Sequence, residues 1–236
     1  RARASAKFKV TGSATVKDFD ETFVGYDVTT HSGAKVLHLV NDALEPVESL
    51  AKGQRGGVVL DVTPFYVESG GQVSDEGVIT AANGRALVVD VSKKFSKSRV
   101  HLVEVEEGTI AVADTVTATV DVTRRDATRR NHTATHLLHA ALRQTLGTHV
   151  RQKGSLVAPD RLRFDFAHDA PLSHDEKQQI ERIVNTEVFH NQTVSTEVKD
   201  TESAIKAGAM ALFGEKYGDR VRVAADFSSA GMSLTW

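Results

Sequence analysis

Two histidines four residues apart mark the first place in this chain where side-chain chemistry could concentrate. They are His132 and His136, in the run Arg129-Arg130-Asn131-His132-Thr133-Ala134-Thr135-His136-Leu137-Leu138-His139-Ala140-Ala141-Leu142. Leu137, Leu138, Ala141 and Leu142 recur at helical spacing, so the run reads as a helix. Asp126 or Thr128 would cap its start, and Gly147 would stop it after Leu146. Residues four apart leave one face of a helix one turn apart, a spacing at which two imidazoles can share a metal ion. With ten histidines in 236 residues a chance pair at this spacing is the more ordinary reading, and two histidines do not complete a zinc site. The run is not a zinc-protease motif. Thr133 stands where HExxH needs its glutamate base, so peptide hydrolysis of that kind is unsupported.

Two other stretches carry an unusual variety of polar groups. Thr63-Pro64-Phe65-Tyr66-Val67-Glu68-Ser69-Gly70-Gly71-Gln72 must be a loop, because proline fixes φ and the paired glycines permit conformations closed to other residues. It holds hydroxyls, a carboxylate, an amide and two aromatic rings, more than a plain turn needs, which reads as a site loop. Downstream, His149-Val150-Arg151-Gln152-Lys153-Gly154-Ser155 adds a second amide and hydroxyl. Arg124, Arg125, Arg129 and Arg130 precede the histidines, and Arg143, Arg151, Lys153, Arg161 and Arg163 follow them. These basic residues make either solvated faces or, if they share one surface, a patch that tracks phosphates.

The elements that must position these groups change character along the chain. Residues 11–122 are mostly β: 35–40, 57–62, 86–91 and 115–121 are short and rich in β-branched residues. Asn83-Gly84 is a hairpin signal, and the succession of short strands predicts a small barrel. Residues 123–236 mix the two types. After the histidine helix come a pair of strands around Pro159-Asp160 and a helix opened by Ser173-His174-Asp175-Glu176 as a capping box. A strand over 193–199, a short helix from Thr201 to Leu212 and a last strand over 219–224 complete an α+β region. The net charge of −2 does not announce a nucleic-acid binder. Without cysteine there is neither a disulfide nor a thiolate zinc ligand, which fits a cytoplasmic location. No apolar run is long enough for a membrane span. Residues 1–10 lack the apolar core of a signal peptide and read as the end of a preceding charged helical region.

Four islands, taken together, carry a specific resemblance. They are Thr63-Pro64-Phe65-Tyr66 with Glu68 to Gln72; Arg130 to His139; Gln152-Lys153-Gly154-Ser155; and Gly208-Ala209-Met210-Ala211-Leu212-Phe213-Gly214-Glu215-Lys216-Tyr217-Gly218. In order and spacing the chain resembles the editing region of bacterial alanyl-tRNA synthetases from about Phe23 to Phe227. That resemblance implies a small β-barrel subdomain followed by an α+β editing core similar to those of threonyl-tRNA synthetase and free-standing alanyl editing proteins. It implies hydrolysis of serine or glycine wrongly esterified to tRNA(Ala), with the tRNA acceptor end and the rest of the synthetase chain as partners. Nothing in the sequence resembles the aminoacylation domain.

By the same resemblance His132 and His136 would bind zinc, Thr135 would border the amino-acid pocket, and Gln152 would position substrate or water or, as a structural alternative, brace the loop as a buried amide. Thr63, Gly70, Gly71 and Gln72 would form the opposite, substrate-binding wall. The family completes its zinc site with a cysteine and a histidine after the position of Ser228; aligned without gaps, those places hold Met232 and Trp236. A neutral thioether is a poor zinc ligand and an indole N–H offers no lone pair, so zinc is expected to be weak or absent and the editing core truncated at its C-terminal end. A non-catalytic tRNA-binding module with a decayed zinc site is the alternative reading.

Overall fold

The computed structural model describes residues 16–191, 193, 195–206, 219–225 and 233–235. Contacts divide the chain into two units: the residues up to Ser69 with Val73–Asp126, and Gly70–Gln72 with the residues from Ala127 onward.

The first unit contains β1 (Thr22–Phe23), β2 (Thr30–Asn41), β3 (Ser49–Ala51), β4 (Arg55–Leu60), β5 (Val62–Thr63), β6 (Gly77–Ala81), β7 (Gly84–Ser92), β8 (Val100–Ala111) and β9 (Thr115–Val120). The order β8-β4-β2-β9-β6-β7 closes on itself because β7 also pairs with β8, giving a barrel. Strand β3 extends it beside β8, while β1 and β5 pair in parallel. Alternation fills the interior: Val116, Ala118 and Val120 of β9 are buried while their neighbours are not. Leu39, Leu60, Phe65, Ile79 and Ile110 belong to the same core. Each such side chain contributes on the order of 2 kcal/mol by leaving water. The long β2 bends at two irregularities, between Ser32 and Ala34, where Gly33 has a φ of 90°, and between Val36 and His38.

The hairpin differs from the sequence expectation by one residue. Ala81 pairs with Gly84, so the turn falls on Ala82-Asn83 and Gly84 opens β7. A Cβ on Gly84 would lie 2.3 Å from the Thr109 carbonyl oxygen. Close strand approach, rather than turn conformation, therefore requires this glycine.

Two buried polar groups tie loops to the barrel. His101 is 0 % exposed; its Nδ1–H donates to the Val58 carbonyl at 2.9 Å, and its Nε2 accepts from the Thr63 hydroxyl at 2.7 Å. Thr63 Oγ1 accepts in turn from the Phe65 amide. Burial pushes the imidazole down to about 4, with the nearby Arg99 acting the same way and the Val58 carbonyl and Glu21 opposing. The second group is Arg125. Its guanidinium grips both oxygens of Asp75 and donates to the carbonyls of Gly25 (2.7 Å) and Pro64 (2.8 Å). Asp75 Oδ2 also accepts from the Tyr66 amide at 2.6 Å. Arg125 is thus a buried brace for the proline-aromatic loop, not a member of a phosphate-tracking patch.

The histidine helix, α1 (Val122–Leu146), begins earlier than expected. Asp121 caps it through Oδ1 to the Arg124 amide, in place of Asp126 or Thr128. Gly147, at a φ of 115°, ends it by donating to the Arg143 carbonyl. In the second unit β10 (Gln152–Val157) and β11 (Leu162–Phe166) pair antiparallel across Pro159-Asp160. Helix α2 (His174–His190) opens with the capping box: Ser173 Oγ accepts from the Glu176 amide, and Glu176 accepts from the Ser173 amide. Leu142, Val150 and Ile180 form the unit's core with Phe164 and Phe166 against it. Beyond lie β12 (Ser195–Asp200), α3 (Thr201–Lys206), β13 (Arg220–Ala225) and β14 (Ser233–Thr235), in the sheet order β12-β13-β14. Strand β14 follows the strand expected to be the last. Residues 1–10, the Gly208–Gly218 island, Met232 and Trp236 lie outside the described residues. Among the described residues no helix is long and apolar enough to cross a membrane.

Candidate functional site

Helix α1 aligns its polar face by simple periodicity. Residues 132, 135, 136 and 139 follow an i, i+3, i+4, i+7 pattern, so His132, Thr135, His136 and His139 share one face. The opposite requirement, an apolar face for the unit's core, is met by Ala141 and Leu142. The four polar residues line a pocket with Gly70, Gln152, Ser155, Val157 and Phe164. Its empty space, mouth included, is about 250 Å³.

Backbone pairing brings Gly70, Gly71 and Gln72 to this wall. Gln72 bridges to Val157 in parallel, and the Val157 amide donates to the Gly71 carbonyl at 2.7 Å. Gly71 has a φ of 84°, and a Cβ there would lie 2.6 Å from the Ser155 carbonyl oxygen. Both its conformation and its close approach to β10 therefore require glycine. Gln72 Oε1 accepts from His132 Nδ1–H at 2.6 Å. This bond fixes the ring orientation and leaves Nε2 as the lone-pair nitrogen.

The His132 and His136 rings stack 5.0 Å apart at 18°. Burial, and then His136, holds His132 down to about 3; burial, and then His139, holds His136 down to about 4. His139 is lowered too, by burial and then by Arg143, whose Nη1 is held by the Thr148 and Val150 carbonyls. The Val150 carbonyl favours protonated His139 but makes no well-formed hydrogen bond to either ring nitrogen. All three rings are therefore neutral near pH 7 and present lone pairs.

Neutral imidazoles are the right kind of donor for zinc, but the number falls short. Among the described residues no group of three or more His, Asp or Glu stands together to hold a metal ion. A zinc site takes three or four protein ligands, so the described residues do not complete one.

The residues singled out in the sequence are distributed unevenly. His132, His136, Thr135, Gln152 and Gly70 line one pocket, while Gln72 holds a ring and Gly71 packs on β10. Thr63 belongs to the first unit. It is fully buried in the first unit, with its hydroxyl held between His101 and the Phe65 amide, and it is not among the pocket residues. The Thr135 hydroxyl donates to the Asn131 carbonyl at 2.8 Å, so toward a ligand it can only accept. His139, Ser155 and Phe164 were not singled out as site residues. The signal for His139 was present, since it stands seven residues after His132 on the same helix face.

Residues 2–124 match the family described as tRNA synthetases class II (A). More particularly, the chain belongs to the alanine–tRNA ligase family. It is 51 % identical over 223 residues, 94 % of its length, to the alanine–tRNA ligase of Bordetella petrii. It is 49 % identical over the same length to that of Paraburkholderia xenovorans, and 52 % identical over 201 residues to that of Rhodopseudomonas palustris. The chain spans about a quarter of the length of these relatives, 25 %, 25 % and 22 % respectively.

Proposed function

We propose that this part of an alanyl-tRNA synthetase is its editing region, which hydrolyses the ester between serine or glycine and the terminal ribose of tRNA(Ala). The observation that supports this most is the convergence of the polar side chains of His132, Thr135, His136 and Gln152 with the Gly70 loop on one small pocket. In this reading an aminoacyl group is the substrate, and the tRNA acceptor end is the partner that would deliver it.

In this reading the chain's own groups position rather than attack. Gln152, whose Oε1 is buried without a hydrogen-bond partner among the described residues, accepts from substrate or water. Thr135 borders the amino-acid side with its lone pairs. Gln72 keeps His132 fixed as the rim of the pocket. Hydrolysis then depends on holding a water against the ester carbonyl, where orientation lowers the barrier. A zinc ion, held weakly by His132 and His136, would polarise the substrate end and is tested separately.

The test is deacylation of Ser-tRNA(Ala), Gly-tRNA(Ala) and Ala-tRNA(Ala) by the purified chain, with metal analysis, before and after chelation. Loss of Ser-tRNA(Ala) with Ala-tRNA(Ala) retained supports the reading. Activity that survives chelation rejects the zinc contribution and keeps the hydrolase. Bound tRNA with no hydrolysis at any zinc level replaces it with the non-catalytic module. Thr135→Val is expected to reduce serine-over-alanine discrimination more than it reduces folding stability; unchanged discrimination removes Thr135 from the pocket's selective groups.

A further inference from the structure

His139 is 7 % exposed and Gln152 8 % exposed, and both border the same pocket. Neither ring nitrogen of His139, nor Gln152 Oε1, has a hydrogen-bond partner among the described residues. A buried polar atom left this way is destabilising, and three such atoms around one opening need an explanation. His139 is not a loosely placed ring. It packs against Phe164 with ring centroids 5.0 Å apart and planes tilted by 40°, and it sits in the interior of α1. Its polar edge is therefore held in place without an internal partner.

The complementary ligand follows from the chemistry of the two groups. Neutral His139 offers one N–H and one lone pair, while Gln152 Oε1 offers only lone pairs. A hydroxyl is the small group that can use both, accepting from the imidazole N–H while its own proton goes to an acceptor. Thr135 cannot supply the donor, because its proton is committed to Asn131. Resting on the editing reading, we infer that His139, with Gln152, is the specificity determinant that seats the side-chain hydroxyl of a seryl group. A methyl in the same place leaves all three atoms unpaired, and a glycyl group reaches none of them. The physics of exclusion is thus desolvation of the pocket's own polar atoms rather than steric refusal.

The experiment measures binding, so it does not depend on turnover. The probes are 3′-amino-3′-deoxyadenosine carrying seryl, alanyl or glycyl in amide linkage, titrated calorimetrically into the chain and into His139→Phe. Phenylalanine keeps the ring and its packing on Phe164 and removes both polar atoms. The expected result is a seryl preference over alanyl in the parent chain and its loss in the variant, with seryl affinity falling about tenfold, the worth of one good hydrogen bond, and glycyl affinity unchanged. A variant that keeps the seryl preference, or that loses all three ligands equally, overturns the inference. A parent chain that binds the probes without preference overturns it too and leaves the hydrolase reading standing. A parent chain that binds none, and fails the deacylation test above, overturns both. Should His139→Phe not fold, His139→Asn, which retains a donor and an acceptor on a shorter side chain, carries the comparison as a partial loss.

Discussion

Two buried histidines, one in each unit, make opposite use of the same side chain. His101 in the barrel has both nitrogens bonded, to Val58 and Thr63. His139 beside the pocket has neither bonded among the described residues. Both are deprived of water, yet only one has been given protein partners in exchange. A satisfied polar group fixes a fold; an orphaned one beside an opening is a seat for something that arrives later. Arg125 falls on the first side of this contrast, because its guanidinium reaches Asp75 and two carbonyls. By residue type and spacing both the arginine and the histidine look functional; their hydrogen bonds separate them.

The contrast can be broken or sharpened by mutation. The largest effect is expected from Arg125→Ala, which leaves Asp75 charged and buried without its partner. Chemical denaturation should show the first unit destabilised by about 3–5 kcal/mol, the usual cost of halving a buried ion pair. A loss below about 1 kcal/mol would mean that the Tyr66 amide and solvent suffice for Asp75.

Next is the acid response of His101. Its folded value lies near 4, below the ordinary 6.5. The unfolded chain therefore binds the proton more readily. Stability is complete above about pH 6.5, falls as pH drops through that value, and levels off below about 4, a total of about 3 kcal/mol. Denaturation midpoints measured from pH 7.5 to 4 should show this fall in the parent chain, and the His101 contribution should vanish in His101→Phe.

The smallest effect separates the two histidines most directly. At pH 7.5, His101→Phe strands the Thr63 hydroxyl and the Val58 carbonyl and should cost about 2 kcal/mol. His139→Phe strands nothing that was bonded, so its stability change should lie within about 1 kcal/mol of zero, or be favourable. Equal losses in thermal or denaturant unfolding would erase the distinction drawn between them.

Much of the architecture was legible residue by residue. The alternation of β9, the capping box at Ser173 and Glu176, and the stop at Gly147 are local signals that the fold obeys. Thr128 and Asp126 look like caps for α1, but Asp121 already supplies the carboxylate and the arginine-rich turn that follows it is helical. Asn83-Gly84 was misread for a related reason. The preference of that pair for turns was outweighed by the need for a residue without a side chain at the contact with Thr109. Thr63 adjoins the site loop in sequence, and its hydroxyl is held by a histidine 38 positions further along, a partner no local pattern announces.

The sequence by itself determined the helix, its polar face at 132, 135, 136 and 139, and the glycine loop, since periodicity and backbone permissiveness are properties of neighbouring residues. Which polar groups would find partners was decided only by tertiary structure. Gln72 meets His132 across 60 positions and Asp75 meets Arg125 across 50, while His139 and Gln152 meet no partner among the described residues. Hydrogen bonds between residues so far apart depend on the path of the whole chain, and no local pattern encodes whether a buried donor or acceptor will be met or left facing a cavity.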